Sequence, residues 1–200
     1  RGMAAAAELV GDGLNVEFVP LDVTSDESVI AAAGTVKARA GRLDVLVNNA
    51  GIGGTNSAPA DTPAFDLREV FEVNVFGPVR VTHAFLPLLR AAEHPRIVMV
   101  SSGMGSVATI TDPSLSGLVP PTLAYPASKS ALNMITTQYA SALSNIKINA
   151  VDPGYTATDM TNNSGFQTVT EGTDAIVRLA DIGPDGPTGG FFDRTGPVPW

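Results

Sequence analysis

Two hundred residues, 44% hydrophobic and 16% charged, carry enough apolar surface for one folded domain and exclude a disordered chain. A net charge of −8 argues against a nucleic-acid or acidic-membrane partner, and the lack of cysteine excludes disulfides, thiolate metal sites and a cysteine nucleophile. No run of about 18 apolar residues occurs, and Arg1-Gly2-Met3-Ala4-Ala5-Ala6-Ala7 meets Glu8 too soon for a signal peptide, so a soluble, cytoplasmic protein is expected.

In chain order, the apolar runs at 16–21, 45–48, 97–101 and 146–151 read as strands. Helical patterns span 26–40, 64–89, 124–143 and 170–180. This alternation predicts a parallel sheet covered by helices on both faces, hence a single α/β domain. Thr24-Ser25-Asp26-Glu27 supplies an N-cap with acidic residues in the first turn, and Gly41 stops that helix. Pro87 falls inside the second helical pattern, where it kinks the helix or ends it early. Residues 108–122, rich in Ser, Thr, Gly and Pro, read as a surface insertion; no linker or internal repeat divides the chain. His83 and His94 have no acidic partner at ligand spacing, so no metal site is expected.

The chemistry concentrates in Tyr125-Pro126-Ala127-Ser128-Lys129, where a tyrosine four residues ahead of a lysine places a phenol and an ammonium on one helical face. A free phenol titrates near ~10, and a positive charge beside it lowers that value toward use at neutral pH. The bland alternative is a half-buried tyrosine and a solvated lysine. Against it stand the strand ends: Asn48-Asn49-Ala50-Gly51, Ser101-Ser102, and Asn149-Ala150-Val151-Asp152-Pro153-Gly154 each close an apolar run with small or polar residues.

In that order these residues resemble the short-chain dehydrogenase/reductase family, whose members transfer hydride between NAD(P)H and a carbonyl or alcohol. The matching stretches cover nearly the whole chain. They are Leu21-Asp22-Val23-Thr24, Asn48-Asn49-Ala50-Gly51, Asn74 in Val73-Asn74-Val75-Phe76-Gly77, Ser102, Tyr125 with Lys129, and Pro153-Gly154-Tyr155-Thr156-Ala157-Thr158. The Arg1-Gly2 opening, the segment after Thr158-Asp159-Met160, Asp185-Gly186-Pro187-Thr188-Gly189-Gly190 and Trp200 are most similar to the carbonyl reductase group. The resemblance implies a Rossmann-like doubly wound parallel sheet.

Family members open with a TGxxxGxG-like turn whose helix N-terminus holds the pyrophosphate. The 200 residues contain no such turn, and Gly51, Gly53 and Gly54 lack its spacing. Arg1-Gly2 resembles the residues just after the family's second strand, so the first βαβ portion is expected to be lacking. In the family's strand order the lacking strands would lie between 16–21 and 45–48.

By the same resemblance Tyr125 donates the proton, and Lys129 tunes it while binding the nicotinamide ribose. Ser102 holds the substrate oxygen, and Asn74 holds a water linking the lysine to a proton relay. Asp22 and Val23 meet the adenine, Asn49, Ala50 and Gly51 line the cofactor, and Pro153, Gly154, Thr156 and Thr158 meet the nicotinamide end. The implied cofactor is NADP, with NAD as the alternative and Arg1 as the visible candidate for the 2′-phosphate. A small carbonyl or alcohol is the implied partner, and the family's long helices allow a homo-oligomer.

The residues also have plainer readings. Ser101 competes with Ser102, Asn74 has a second reading as a satisfied polar core residue, and Asp22, Thr156 and Thr158 as caps. Tyr155 either borders the substrate pocket or packs. Rival functions are a vestigial nucleotide-binding protein and an epimerase or dehydratase that shares the Tyr and Lys.

Overall fold

Alternation of side chains along two strands builds the centre of the molecule. A computed structural model describes residues 2–115 and 121–200. Its sheet runs in the order β1 (Val45–Asn48), β2 (Arg96–Val100), β3 (Lys147–Val151) and β4 (Phe191–Phe192), all parallel. Ile97, Met99 and Ile148 point to one face and pack with Leu89, Leu132 and Ile146. Val98, Val100 and Val151 point to the other and pack with Ala175 and Leu179. Helices α4 (Gly77–Leu89) and α6 (Ala124–Ala142) therefore cover one face, and α7 (Val169–Ala180) covers the second. Both faces of β2 and β3 are dry, which is why those strands read as continuous apolar runs, whereas Val47 of β1 stays exposed. This is the expected Rossmann-like α/β arrangement in a single domain.

Outside the sheet, α2 (Asp26–Ala40) packs on α4 through Val29, Ala32, Val81, Phe85 and Leu88. Ser25 caps it, with its hydroxyl accepting from the Ser28 amide, and Gly41 ends it at φ 71°. An Arg80 guanidinium ties the segment before α2 to α4 by donating to the Val23 carbonyl at 2.6 Å and to Glu72 at 2.8 Å, and by pairing with Asp26. The first helix, α1 (Gly2–Gly11), buries no residue.

Two expectations are corrected. Residues 16–21 are not a strand: the segment joins no ladder, and Val19 packs onto the α2–α4 cluster instead. The helix expected over 64–89 is three pieces: α3 (Ala64–Phe71), a π-helical turn (Glu72–Phe76) and α4. Pro78 accounts for the break, since it has no N–H to return to the Asn74 carbonyl, and the Gly77 amide reaches back five residues to Glu72. Pro87 lies within the last turn of α4, which ends at Leu89. Within the region read as an insertion, α5 (Val107–Ile110) and a 3₁₀ turn (Pro113–Leu115) are formed, and residues 116–120 lie outside the described residues, as does Arg1. Among the described residues no helix is long and apolar enough to cross a membrane.

The chain's last residues return to the sheet's carboxyl end. Asn149 donates to the Pro187 carbonyl at 2.8 Å and accepts from the Gly190 amide at 3.0 Å, which delivers β4 to β3. Trp200 stacks on Phe191 with ring centroids 5.4 Å apart. The Ser106 hydroxyl donates to the Pro199 carbonyl at 2.7 Å, and the Ala108 amide to the Trp200 carbonyl at 3.2 Å. The loop after β2 is thus clamped between the carboxyl end and α6. Contact with α6 is closest at Gly105, where a Cβ would sit 2.7 Å from the Lys129 backbone and Cβ.

Gly105→Ala is therefore expected to destabilise the fold by about 1–3 kcal/mol through overpacking. Gly34→Ala, on the exposed face of α2 where a Cβ meets nothing within 4 Å, is expected to stabilise it by about 0.5–1 kcal/mol. Chemical denaturation of the two variants checks the opposite signs.

Candidate active site

The carboxyl ends of β1, β2 and β3 and the first turns of α6 meet at one place, where an open parallel sheet forms its ligand crevice. Lys129, one turn into α6, is 4% exposed and donates from Nζ to the Val100 carbonyl at 2.8 Å, at the end of β2. Its ammonium stands 5.5 Å from the centroid of the Tyr125 ring. Gly51 closes in from the loop after β1: a Cβ there would lie 3.4 Å from Asn74 Oδ1 and 3.6 Å from Lys129 Nζ. The site therefore brings Gly51, Asn74, Tyr125 and Lys129 into one cluster.

Electrostatics differ from the expectation for this pair. Burial pulls Lys129 down from 10.5 to about 8, against an opposing pull from Asp152. Burial also raises the Tyr125 phenol, with a hydrogen bond to Ser102 lowering it and Asp152 raising it further. The expected lowering of the phenol by Lys129 is absent from these contributions. The order of titration gives the reason, since a lysine held near 8 has lost its charge before a phenol raised above its ordinary value titrates.

Of the two serines, Ser102 faces the phenol and Ser101 does not. Ser101 is 1% exposed and donates to Asn133 Oδ1 at 2.5 Å, while Asn133 donates to the Gly105 carbonyl at 3.2 Å. The half-buried Ser102 caps the turn after β2, accepting from the Met104 amide at 3.2 Å.

Asn74 is fully buried in the π-helical turn. Its Nδ2 donates to the Ile52 carbonyl at 2.9 Å and to Ser128 Oγ at 3.0 Å, and its Oδ1 accepts from the Ile52 amide at 2.8 Å. Ser128 in turn donates to the Tyr125 carbonyl at 2.7 Å. Both protons of the Asn74 amide are thus spent on holding the post-β1 loop and α6 in register. The reading as a satisfied core residue and the reading as part of the site meet in the same side chain.

The nucleotide-side residues are arranged along the same edge. Asn48 is buried, donating to Thr82 and Met99, which leaves Asn49 and Ala50 exposed beyond the strand with Gly51 half-buried. Gly154 stands at φ 72°, and a Cβ on it would strike Gln167 at 1.9 Å. Pro153 and Gly154 line a cleft of about 420 Å³ with Asp152, Gln167 and Asp193. Thr156 turns its hydroxyl to the Pro153 carbonyl at 3.2 Å, and Thr158 opens the 3₁₀ turn Asp159–Thr161, its amide donating to Thr161 at 3.1 Å. Asp22 accepts from both the amide and the hydroxyl of Thr24, the contacts of a local cap, and these lower its carboxyl. Val23 packs into the α2–α4 cluster. Tyr155 packs on Phe166 with centroids 6.0 Å apart and bonds Ser164. Among the described residues no group of three His, Asp or Glu could hold a metal ion.

Sequence reading did not single out Ser128, Asn133 or Asp152. The signal was present for Asp152 alone, as an acid in the middle of a strand end otherwise read for its Pro-Gly.

Comparison with known proteins identifies the family and the fold. A family model described as short chain dehydrogenase matches residues 1–168. A short-chain dehydrogenase, anuI, of Penicillium roqueforti is 40% identical over 171 residues, covering 82% of this chain and 68% of the relative. The (−)-isopiperitenone reductase of Mentha piperita is 31% identical, covering 97% of this chain and 85% of the relative. The NADPH-bound carbonyl reductase from chicken fatty liver superimposes with a TM-score of 0.87 at 28% identity, over 98% of this chain and 82% of that one. A parallel sheet with a Tyr125–Lys129 helix against its carboxyl end, matched by a family model over most of its length, places the molecule: the chain belongs to the short-chain dehydrogenase family.

Proposed function

We propose that this protein reduces a ketone or aldehyde to the alcohol, or runs the reverse oxidation, with NADP(H) as hydride carrier. The observation that carries this reading is the convergence of Ser102, Tyr125 and Lys129 at the end of β2. Hydride transfer to a carbonyl carbon leaves charge on the oxygen, so a phenol and a hydroxyl side by side supply a proton and a hydrogen bond where that charge develops. Tyr125 is the acid in reduction and the base in oxidation, and Ser102 positions the oxygen.

Lys129 would hold the nicotinamide ribose, and Asn49, Ala50, Gly51, Pro153, Gly154, Thr156 and Thr158 would line the remainder, with Asp22 and Val23 at the adenine end. Asn74 supports the cluster and offers its carbonyl side to a water. The NADPH-bound chicken structure supports NADP over NAD. A small-molecule carbonyl, a cytoplasmic location and assembly through the long helices complete the proposal. A second reading, nucleotide binding without turnover, is favoured by one fact: the sequence contains no TGxxxGxG-like turn.

The buried ammonium is itself an argument for chemistry. An isolated charge sealed from water opposes folding, and groups so placed cluster at functional sites.

Three measurements test the proposal. In a chain supplied with a family N-terminal βαβ unit, Tyr125→Phe is expected to spare NADPH binding and lower carbonyl reduction by at least about tenfold, ~1.4 kcal/mol in barrier. A smaller loss would remove Tyr125 from the acid's role. For Lys129, held near 8 when folded against 10.5 when unfolded, the unfolded state binds more protons above pH 8. Stability is therefore expected to rise from pH 8 to pH 10, on the order of 2 kcal/mol more in the parent than in Lys129→Met. Parallel curves for the two chains would mean that the ammonium is solvated. The 200-residue chain itself is expected to bind NADPH weakly, because it contains no such turn to offer amides to the pyrophosphate. A micromolar complex with a clear rise in melting temperature would show that other segments supply the phosphate site.

A further inference from the structure

Asn133 lies one turn beyond Lys129, 4% exposed, and the proposed chemistry gives it nothing to do. We infer that Asn133 is a positioning residue for that chemistry: by gripping the Ser101 hydroxyl and the Gly105 carbonyl it holds the loop after β2 on α6 and turns Ser102, rather than Ser101, toward the site that carries Tyr125. The inference rests on the reading of Ser102 and Tyr125 as the reacting pair only for its consequence in turnover; the placement itself stands on the structure.

Both ends of the Asn133 amide are engaged. Its Oδ1 accepts from the Ser101 hydroxyl at 2.5 Å, and its Nδ2 donates to the Gly105 carbonyl at 3.2 Å. That carbonyl also accepts from the Ser130 hydroxyl at 2.8 Å, and the Val100 carbonyl, one residue before Ser101, accepts from Lys129 Nζ at 2.8 Å. Lys129, Ser130 and Asn133 are neighbours on one face of α6, since Asn133 follows the other two by four and three residues. The helix that carries Tyr125 is therefore bonded to the end of β2 and its loop at Val100, at Ser101 and at Gly105, on either side of Ser102.

Strand geometry explains why this grip selects one serine. Ser101 still belongs to the ladder, its amide donating to the Val151 carbonyl at 2.7 Å, and Ser102 is extended at φ −167° and ψ 149°. Successive side chains of an extended chain point to opposite sides. With Ser101 drawn inward until it is 1% exposed, Ser102 faces the other way and stays half-buried at the carboxyl end of the sheet. A slip of one residue would exchange the two hydroxyls. Asn133 opposes that slip, because without Ser101 its Oδ1 would be buried and unpaired.

A residue that only fills the core would, when truncated, loosen the fold and leave the two working hydroxyls in their relative places. A residue that acts through Ser102 matters only while Ser102 is present, so the two truncations are not additive.

The test is NMR of the 200-residue chain labelled at the tyrosine ring carbon that bears the hydroxyl, a signal that follows the hydroxyl's surroundings. The chain has three tyrosines, and Tyr139, further along α6, reports any general disturbance of that helix. Ser102→Ala is expected to move the Tyr125 signal. Asn133→Ala is expected to move it the same way by at least about half as much, and the double variant no further than Ser102→Ala alone, with Tyr139 unmoved. A Tyr125 signal indifferent to either truncation, shifts that add in the double variant, or a Tyr139 shift as large as that of Tyr125 overturns the inference.

Should Asn133→Ala not fold, Ser101→Ala deletes the other end of the same bond and takes its place, with the same expected outcomes. Because no arm of the test needs turnover, a chain that reduces no carbonyl but shows this pattern would remove the proposed function and leave the inference standing.

Discussion

An ammonium group taken out of water is the constraint on which this site depends. Lys129 reaches through α6 to the last carbonyl of β2, and everything near it is arranged around that reach. Gly51 brings the loop after β1 to within contact distance of Nζ, and Gly105 has no side chain because one would crowd the Lys129 backbone. Such a charge is tolerated only with hydrogen bonds and a compensating field. Val100 supplies the bond, and Asp152 supplies a field of the correct sign.

From that constraint the fold's irregularities make sense. A regular helix through 64–89 would give Asn74 no reason to face the loop after β1. The π-helical turn set up by Pro78 coincides with the turn of Asn74 into the core, where one amide group bonds both the Ile52 backbone and Ser128. Because Ser128 also bonds the Tyr125 carbonyl, the first turn of α6 is fixed from below as well as along its axis. Local departures of this kind at a functional site are what physical reasoning leads one to expect, since they aim a side chain that a straight element would leave elsewhere.

How much of this was legible in the sequence follows from range. The strands at 45–48, 97–101 and 146–151 and the helices at 26–40, 124–143 and 170–180 carry their own periodicity and caps, and each was found to within a residue or so. The stretch 16–21 has the same apolar alternation, but a strand also needs a neighbour to pair with, and Val19 found a helix pair instead. The choice between Ser101 and Ser102 could not be made from adjacency: it depends on Asn133, thirty-two residues away, drawing one of them inward. Nor could the direction of the Tyr125 shift, since the i, i+4 spacing fixes a common face but not the burial that moves each group. Pro78, by contrast, announced the break after Asn74 in plain view, one residue outside the motif that was being read.

The clamp on the loop after β2 has a consequence in time. Ser106 bonds the Pro199 carbonyl across 93 residues of chain, and Trp200 bonds Ala108 and seals Phe191. At ribosomal speeds of about 5–20 residues per second, roughly 5–20 seconds pass between the synthesis of the loop that carries Ser102 and the arrival of the residues that fasten it. During that interval the sheet can assemble through β3, with Tyr125 and Lys129 already on their helix, while the loop that carries Ser102 stays unfastened at this end. The loop that carries Ser102 is thus fastened by residues that emerge after the sheet strands and helices it lies against.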